Sequence, residues 1–445
     1  MDNKTITLIG AGLAGPLMAT YLAQRGFTVD IYERRDDMRS VNLSAGRSIN
    51  LALSVRGIHA LKEVGLYVKI QPITIPMKGR MIHDMDGKTH LQPYGQRDDE
   101  VIYSVSRAQL NKDLMTLAEG TGKVRIHFNH ELSTVDLQNN MLSFSHKNTG
   151  EIVQKDFTCV IGCDGSASVL RDEIVNKTKA RYTKKPLGHG YKELLIPPSD
   201  DGQFQLDSHA LHIWPRGEYM LIALPNMDGS FTCTLFLPMS GKISFDSMDT
   251  GSKISELFQS QFSDAIDLMP TLAQDFRNNP TGELASVYCD PWHFQEKAAL
   301  IGDSAHAVVP FFGQGMNASF QDCTVMNKLM GDYAGDWGDI FSNYSKLHVN
   351  NGHAIADMAI ENYIEMRDHV NDPNYIKRRK LELDLEKRFP GQFIPRYSMV
   401  SFHQFPYSDV YKRGEKQFRI IDEILRVDPS GENIDRSLVN KLLKS

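Results

Sequence analysis

The sequence has no apolar run of the length that a membrane-spanning helix needs, and neither sign of charge dominates its 445 residues. It carries 49 basic and 55 acidic residues, a formal net charge of −6, without long blocks of one sign. A nucleic-acid-binding surface would require clustered basic residues. The first residues show no signal-peptide pattern. These absences predict a cytoplasmic protein with no membrane anchor and no nucleic-acid partner.

Cysteine is scarce, and the spacing that a metal site requires is missing. The chain has five scattered cysteines, an odd number. No second Cys/His pair stands at zinc spacing from Cys159 and Cys163, and there is no HExxH motif. We therefore expect reduced, mostly buried thiols and no metal site.

The amino-terminal part has the pattern of a dinucleotide-binding unit. An apolar strand, Thr5 to Ile9, leads into Gly10-x-Gly12-x-x-Gly15, a helix that runs to Gln24, and a second strand, Thr28 to Tyr32, followed by Glu33. The glycines allow a tight turn in which backbone amides approach a pyrophosphate, and the acidic side chain can bind a ribose. The pattern predicts a dinucleotide but does not distinguish NAD from FAD.

Two later segments favour FAD. Ile161-Gly162-Cys163-Asp164-Gly165 resembles the DG motif of flavoprotein hydroxylases, and Leu300-Ile301-Gly302-Asp303 resembles their GD motif, in which a carboxylate binds the ribityl chain. Gly315-Met316-Asn317 then begins a long predicted helix. Its positive end would face the flavin and stabilise the negative charge of the reduced ring.

Arg107 gives independent support for an anionic ligand. Ser106 and Gln109 have the spacing of a capping box, which places Arg107 in the first turn of a helix. A cation there interacts unfavourably with the helix dipole, and a bound pyrophosphate or flavin would offset that cost. An arginine that faces solvent is the alternative.

The rest of the chain predicts a second domain of sheet and then a helical region. Runs at Leu211–Trp214, Tyr219–Leu224 and Phe231–Leu237 alternate with turn dipeptides and indicate antiparallel strands. The predicted fold class is α/β, with a discontinuous Rossmann-like FAD-binding domain, an inserted antiparallel-sheet substrate domain and a C-terminal helical region. The FAD-binding domain is predicted to cover 1–72, 101–180 and 286–342, the substrate domain 73–100 and 181–285, and the helical region 343–445.

Several longer stretches resemble one family, the kynurenine 3-monooxygenases. They keep their order up to about Tyr407, and several are far longer than a generic flavin motif. The stretches are Gly46-Arg47-Ser48-Ile49-Asn50-Leu51-Ala52-Leu53, Gly79-Arg80-Met81-Ile82-His83, Gln92-Pro93-Tyr94-Gly95, Leu211-His212-Ile213-Trp214-Pro215, Pro310-Phe311-Phe312-Gly313-Gln314-Gly315-Met316-Asn317, Glu361-Asn362-Tyr363-Ile364-Glu365-Met366 and Pro395-Arg396-Tyr397-Ser398-Met399-Val400.

The resemblance implies non-covalent FAD, NADPH as reductant, and hydroxylation of L-kynurenine to 3-hydroxykynurenine with O2 by way of a flavin hydroperoxide. This reaction belongs to tryptophan degradation and NAD biosynthesis. The FAD-binding residues, from the motifs and the resemblance together, are Gly10, Gly12, Ala14, Gly15, Tyr32, Glu33, Arg34, Arg35, Ala52, Arg107, Leu132, Asp303, Gly315, Met316 and Asn317. The implied substrate-binding residues are Arg80, Tyr94, Asn362 and Tyr397. Eukaryotic members continue into a membrane anchor, which this sequence lacks. No residue is assigned as a catalytic acid or base, and a homodimer is left open.

The implied substrate-binding residues suit the chemistry of kynurenine, and each also has a structural alternative. A guanidinium suits the carboxylate of kynurenine because it can form two parallel hydrogen bonds, although Arg80 could also be a cation on the surface of a strand. Arg80 and Tyr94 share a face if the loop at Asp86-Gly87 has three residues, and lie on opposite faces if it has two.

Two more substrate residues and one histidine have structural alternatives. Asn362 interrupts an apolar helical stripe, either as a ligand-binding amide or as a buried amide bonded to backbone. Tyr397 would more often be a core residue, and His306 is expected to pack beside the cofactor segment rather than act as a base.

Three other function classes are compatible with parts of the pattern. A related FAD hydroxylase would act on another aromatic acid, such as a phenol or an anthranilate-like compound. A flavin-binding redox or regulatory protein would insert no oxygen. A nicotinamide dehydrogenase would leave the two later flavin motifs unexplained.

Overall fold

The computed structural model describes residues 5–40, 50–369 and 372–444, and the chain forms two compact units. Unit 1 contains Met1–Thr74, Val105–Leu187 and Leu284–Ala359, and unit 2 contains Ile75–Ser104, Gly188–Glu283 and Ile360–Ser445. The last segment of unit 1 ends at Ala359, whereas the sequence predicted that the last segment of the FAD-binding domain ends at residue 342. Residues 46–49 of the first family stretch lie outside the described residues.

Groups of consecutive strands are separated by helices as far as Leu300, and the part of the chain after it is helical. The strands are β1 (Thr5–Ile9), β2 (Thr28–Tyr32), β3 (Asn50–Leu53), β4 (Ile75–Met77), β5 (Gly79–His83), β6 (Thr89–Pro93), β7 (Ile102–Ser106), β8 (Val124–His127), β9 (His130–Asp136), β10 (Met141–His146), β11 (Ile152–Asp156), β12 (Val160–Gly162), β13 (Arg181–Ile196), β14 (Ala210–Pro215), β15 (Met220–Pro225), β16 (Phe231–Pro238), β17 (Gly282–Asp290), β18 (His293–Phe294) and β19 (Ala298–Leu300). The α-helices are α1 (Ala14–Gln24), α2 (Val55–Glu63), α3 (Tyr67–Ile70), α4 (Arg107–Gly120), α5 (Val169–Thr178), α6 (Gly251–Gln261), α7 (Ser263–Ile266), α8 (Leu272–Asn278), α9 (Asp303–His306), α10 (Gly315–Asp332), α11 (Trp337–Ile364), α12 (Pro373–Arg388), α13 (Arg396–Ser401), α14 (Tyr407–Val427) and α15 (Arg436–Lys444). Short 3-10 helices span Gln71–Ile73 and Pro310–Phe312, and a π-helical turn spans Glu365–His369.

Unit 1 is built on a mostly parallel sheet in the order β18-β19-β12-β1-β2-β8. Strands β1, β2, β8, β12 and β19 pair in parallel, and β18 is the antiparallel edge. Helix α1 connects β1 to β2 and packs with α4 and α10. The predicted strand–turn–helix–strand unit is therefore confirmed, and the carboxyl ends of β1, β12 and β19 lie at the same edge of the sheet.

The predicted cap of helix α4 forms only in part. Ser106 Oγ accepts a hydrogen bond from Gln109 N at 3.3 Å, as a capping serine should. The side chain of Gln109 does not return the contact, because it donates to Asp113 Oδ2 at 3.1 Å. Arg107 is the first residue of α4 and its side chain is exposed.

Unit 2 is built on a sheet in the order β17-β13-β16-β15-β14-β5-β6. Neighbouring strands from β13 to β14 pair antiparallel, β14 pairs with β5 in parallel, and β5 with β6 forms a hairpin. The three runs that the sequence marked as strands are β14, β15 and β16. Strand β16 is buried at every position from Phe231 to Leu237 because the sheet is covered on both faces there.

The main core of unit 2 lies between its sheet and helices α6, α7 and α8. Trp214, Phe258 and Phe262 are almost fully buried in it. A smaller apolar core holds α12, α14 and α15 together, with Leu385 and Ile421 at its centre. Helix α14 begins at Tyr407 and lies in the C-terminal region that the sequence predicted to be helical.

A chain of buried hydrogen bonds ties β5 to β14 and α7. His212 Nε2 lies 2.8 Å from Asp207 O, so that nitrogen carries a proton, and burial lowers the pKa of His212 to about 4. Its Nδ1 therefore accepts from His83 Nε2 at 2.8 Å. His83 Nδ1 lies 2.6 Å from Asp264 Oδ2, and this contact joins β5 to α7.

Among the described residues, no helix combines the length and the hydropathy required to cross a membrane.

The core of unit 2 gives a first prediction. Phe258→Ala removes a fully buried ring and should lower the free energy of unfolding by about 3–5 kcal/mol, measured by equilibrium denaturant unfolding. Met227→Ala is the control, since Met227 is 59% exposed and should change the stability by no more than about 0.5 kcal/mol. Equal small effects of the two changes would contradict this description of the core.

Candidate cofactor and substrate sites

The glycines of the first turn in unit 1 satisfy three different requirements. Gly10 has a φ of +98°, and a Cβ there would lie 2.4 Å from Cys163 O. A Cβ at Gly15 would lie 2.0 Å from Gly10 O, so helix α1 can begin this close to β1 only with glycine. A Cβ at Gly12 would meet nothing within 4 Å, which leaves open space beside the backbone amides at the start of α1. This cradle fits a pyrophosphate.

Glu33 stands at the end of β2, beside that turn. Its Oε2 accepts from Ala11 N at 2.7 Å, and its Oε1 accepts from Arg35 N at 2.9 Å and Arg35 Nε at 2.7 Å. Burial would raise the pKa of the Glu33 carboxyl, but the bonds from Arg35 and Ala11 outweigh it, so the pKa lies below its usual value. Glu33 is therefore a fixed carboxylate in the position that a ribose requires.

The two later aspartates have different surroundings. Asp164, in the DG segment, is half-buried and its Oδ2 accepts from Val169 N at 3.0 Å, so it caps helix α5. Burial raises the pKa of Asp164. Asp303, just after β19, is exposed, and within residues 5–40, 50–369 and 372–444 its carboxylate has no hydrogen-bonding or ion-pairing partner. Asp303 is thus the carboxylate left available for a ligand.

Asn317, in the first turn of α10, uses its whole side chain within the protein. Its Oδ1 accepts from Ser54 N at 2.9 Å and Gly57 N at 3.3 Å. Its Nδ2 donates to Ala52 O at 2.8 Å and Gly313 O at 2.9 Å. What α10 offers a ligand is therefore its backbone, since the first N–H groups of a helix have no acceptor inside the helix.

The remaining predicted FAD residues divide by exposure. The ring of Tyr32 stacks on Phe144 at 4.1 Å, and burial raises the pKa of its hydroxyl to about 12. Leu132 is buried in β9. Arg34 is exposed and lies 3.9 Å from Glu131, which itself is exposed, so this contact contributes little to stability. Tyr32 and Leu132 are therefore packed within the protein. A polar contact to a cofactor would have to come from other residues.

His306 packs in the core of unit 1, as the sequence predicted. Its Nε2 lies 2.6 Å from Asp322 Oδ2, and its ring stacks on Trp292 at 4.9 Å. Burial lowers the pKa of His306, but the charge of Asp322 outweighs this and the net shift is upward. Asp322 Oδ2 also accepts from Gly302 N at 2.9 Å, which fixes the turn that precedes Asp303.

The five cysteines are free, as expected, and all but Cys163 are fully buried.

The glycine cradle, the Glu33 carboxylate, the Asp303 carboxylate and the start of α10 together fit FAD, and the chemistry of each group matches one part of that cofactor.

In unit 2, the facing of Arg80 and Tyr94 is settled by the register of the hairpin. Arg80 pairs with Gln92, and Tyr94 N donates to Lys78 O at 3.0 Å, so Arg80 and Tyr94 lie on the same face, two positions apart. The closing contact, Asp84 N to Lys88 O at 2.9 Å, leaves a three-residue loop. The shared face that the longer loop predicted is therefore confirmed.

The four predicted substrate residues come together around the Arg80 guanidinium. Arg80 Cζ lies 5.2 Å from the centre of the Tyr397 ring, which stacks on Tyr94 at 4.9 Å. Arg80 Nη2 donates to Asn362 Oδ1 at 3.2 Å. Only 6% of Arg80 is exposed, so the alternative of a surface cation is wrong. The buried guanidinium has an aromatic ring over one face and an amide at its edge.

Asn362 lies on the buried stripe that the sequence indicated, with Ile355, Ala359 and Met366. Its Oδ1 accepts from Arg80, and its Nδ2 lies 3.2 Å from Met366 Sδ. Asn362 therefore bonds to the side chain of Arg80, another of the predicted substrate residues.

Three residues of this cluster were missed by the sequence reasoning. Arg80 Nη1 lies 2.9 Å from Glu365 Oε1, and Tyr375 donates its hydroxyl to the same oxygen at 2.6 Å. Arg379 Nη2 donates to Tyr94 O at 3.0 Å. Glu365 carried one signal, since it lies three positions after Asn362 and so on a neighbouring part of the helix surface. Tyr375 and Arg379 carried none.

The electrostatics keep the cluster in one protonation state at neutral pH. Burial raises the pKa of both Tyr94 and Tyr397, so their hydroxyls remain neutral donors. Burial would also raise the pKa of the Glu365 carboxyl, but Arg80 and Tyr375 lower it more, and Glu365 is ionised. Burial would lower the pKa of Arg80, but Glu365 outweighs it and Arg80 stays charged.

The cofactor residues give a second prediction. Asp303→Ala should raise the dissociation constant of FAD at least about tenfold, because charge-assisted hydrogen bonds to the ligand are lost. FAD titration of the apoprotein, followed by flavin fluorescence, measures this. Asp332→Ala, which removes an exposed carboxylate at the other end of α10, is the control and should leave the constant unchanged. An unaltered constant in Asp303→Ala would exclude the role given to Asp303.

The fold is shared with solved structures of low sequence identity. The chain is similar to the tetrameric form of 2-methyl-3-hydroxypyridine-5-carboxylic acid oxygenase, with a TM-score of 0.66 and 17% identity over 85% of this chain and 96% of that one. It is also similar to tetracycline destructase Tet(51), with a TM-score of 0.61 and 19% identity over 90% and 100% of the two chains. At these identities the likeness shows the fold alone.

Sequence relatives are much more similar. Residues 3–339 match the family described as FAD binding domain. The chain is 48% identical to the kynurenine 3-monooxygenase of Myxococcus xanthus over 100% of this chain and 95% of the relative. It is 42% identical to that of Stenotrophomonas maltophilia over 97% and 95%, and 41% identical to that of Dictyostelium discoideum over 99% and 98%. The chain belongs to the kynurenine 3-monooxygenase family of FAD-dependent monooxygenases.

Proposed function

We propose that this protein hydroxylates L-kynurenine at the ring carbon beside the amine, giving 3-hydroxykynurenine, with FAD as bound cofactor and NADPH and O2 as co-substrates. Family membership over the whole chain and the FAD-binding unit support the reaction class. The observation that carries the substrate is the buried Arg80 guanidinium with Tyr94, Tyr397 and Asn362 around it. No residue is assigned as acid or base.

FAD, when bound, supplies the activation of dioxygen, and the residues of unit 1 hold it. The amides at the Gly10–Gly15 turn and the start of α1 would bind its pyrophosphate. Glu33 would accept from the ribose and Asp303 from the ribityl chain. The backbone at the start of α10, with its partial positive charge, would stabilise negative charge on the reduced ring.

The residues of unit 2 orient the substrate by its amino-acid end. A guanidinium can bind a carboxylate through two parallel hydrogen bonds, which fixes direction as well as position. The Tyr94 and Tyr397 hydroxyls, neutral at physiological pH, can donate to the same carboxylate. Holding that end restricts the aniline ring, whose carbon beside the amine is enriched in electrons by the nitrogen lone pair. The chain thereby selects which carbon is hydroxylated.

We also propose a cytoplasmic location and small-molecule partners only, namely L-kynurenine, NADPH and O2. Five free cysteines suit a reducing compartment. A homodimer is compatible with this function, and sedimentation of the FAD-loaded protein measures the state directly.

Product analysis tests the reaction itself. The purified protein should oxidise NADPH faster with L-kynurenine than without it, and the product should contain one added oxygen atom. Flavin binding with NADPH oxidation but no oxygenated product would contradict the function. Faster turnover of a phenol or an anthranilate-like acid would instead assign the site to another aromatic acid.

Arg80 gives the third prediction. Arg80→Ala should raise the dissociation constant of L-kynurenine about 100-fold, the loss of about 2.7 kcal/mol expected for a two-bond charged contact, and should retain FAD. Lys88→Ala in the loop of the same hairpin is the control, since Lys88 is 79% exposed and should leave binding unchanged. Loss of FAD with unchanged L-kynurenine binding would exclude the role of Arg80.

A further inference from the structure

The guanidinium assigned to the substrate already holds a carboxylate of the chain itself. Arg80 Nη1 and Glu365 Oε1 form an ion pair at 2.9 Å, and Arg80 Nη2 donates to Asn362. The Arg80 side chain is 7% exposed and that of Glu365 is 30% exposed. Because the pair is largely removed from water, the attraction between its charges is stronger than in a surface ion pair.

A second contact holds Glu365 in this position. Tyr375, on α12, donates its hydroxyl to the same Oε1 at 2.6 Å. Glu365 is also the first residue of the π-helical turn, a rare conformation that occurs mostly at functional sites. The neighbouring cation, Arg379, is paired with Glu382 at 2.8 Å. Arg80 and Glu365 are therefore each other's nearest charged partners.

We propose that Glu365 competes with the carboxylate of the substrate for Arg80, so that tight binding requires release of the Arg80–Glu365 ion pair. This inference rests on the proposed function, because it takes the substrate to be an acid that binds Arg80.

The competition follows from the geometry of the guanidinium. A carboxylate in two-bond contact uses two of the five N–H groups of an arginine along one edge. Both terminal nitrogens of Arg80 are engaged, by Glu365 and Asn362. The nearby Arg379 does not offer a second cation for the incoming carboxylate, since Arg379 is already paired with Glu382. An incoming carboxylate thus gains its full contact when Glu365 withdraws.

The consequence is a lowered apparent affinity for acidic ligands. A ligand that requires a minor state of the protein binds with an affinity reduced by the fraction of molecules in that state. Tyr375 keeps that fraction small because its hydroxyl stabilises Glu365 beside Arg80.

The test is binding of L-kynurenine to the FAD-loaded protein, followed by the change in flavin absorbance. Glu365→Gln removes the competing charge and keeps the shape of the side chain. The dissociation constant should fall about tenfold, the factor for an Arg80 held by Glu365 in about nine tenths of the molecules. Tyr375→Phe, which retains Glu365 but loses its hydrogen bond, should lower the constant by a smaller factor.

Two controls separate competition from a general effect on structure. L-kynurenine amide, in which a carboxamide replaces the carboxylate, should bind wild type and Glu365→Gln equally. Asp384→Asn neutralises a carboxylate that pairs with Arg388 on α12, and should leave L-kynurenine binding unchanged.

Unchanged or weaker L-kynurenine binding in Glu365→Gln overturns the inference, because Glu365 would then orient Arg80 or hold the ammonium group of the substrate. If that variant does not fold, Tyr375→Phe decides, and only tighter binding supports competition. Failure of the wild-type protein to bind L-kynurenine would contradict the proposed function as well. The ratio of the L-kynurenine dissociation constants of the variant and the wild type tests the competition alone.

Discussion

The burial of one positive charge, that of Arg80, determines the arrangement of the substrate-binding unit. A guanidinium that is 6% exposed has lost most of its hydration and must be compensated by partners of the protein or of a ligand. Glu365 provides the counterion, Asn362 an acceptor, and Tyr397 an aromatic face. These partners come from helices far along the chain from the hairpin that carries Arg80, so the charge and the fold of unit 2 depend on each other.

Unit 1 differs from unit 2 in the groups that it offers to a charged ligand. Its predicted ligand is an anion at the pyrophosphate, and beside the first turn lie backbone amides and the Glu33 carboxylate, whose charge is paired with that of Arg35. Gly10 and Gly15 allow β1, α1 and the Cys163 backbone to approach closely, and the amides at the start of α1 provide the positive end. Glu33 is fixed by bonds from Ala11 and Arg35, and we propose that Asp303 accepts from hydroxyl groups of the cofactor. In the proposed function, unit 2 binds its anion with a side-chain cation, and unit 1 binds its anion with the backbone at the start of a helix.

Local patterns predicted much of this from the sequence. The strand–turn–helix–strand unit, the helix after Gly315 and strands β14 to β16 depend on residues close in sequence. The facing of Arg80 and Tyr94 stayed open because it depends on one residue of loop length. Glu365 was missed because its partner lies 285 positions away. The bonds of the Asn317 side chain to Ala52 and Ser54 also join residues far apart in sequence. Long-range partners leave no periodic signal, so the structure was needed to find them.

The central claim is that Arg80 receives the carboxylate of the substrate, and a crystal structure of the FAD-loaded protein with L-kynurenine tests it most directly. We expect the carboxylate oxygens within hydrogen-bonding distance of the Arg80 guanidinium, about 2.7–3.2 Å, with the Tyr94 and Tyr397 hydroxyls beside them. A complex in which the carboxylate binds elsewhere, while Arg80 remains paired with Glu365 alone, would contradict the account.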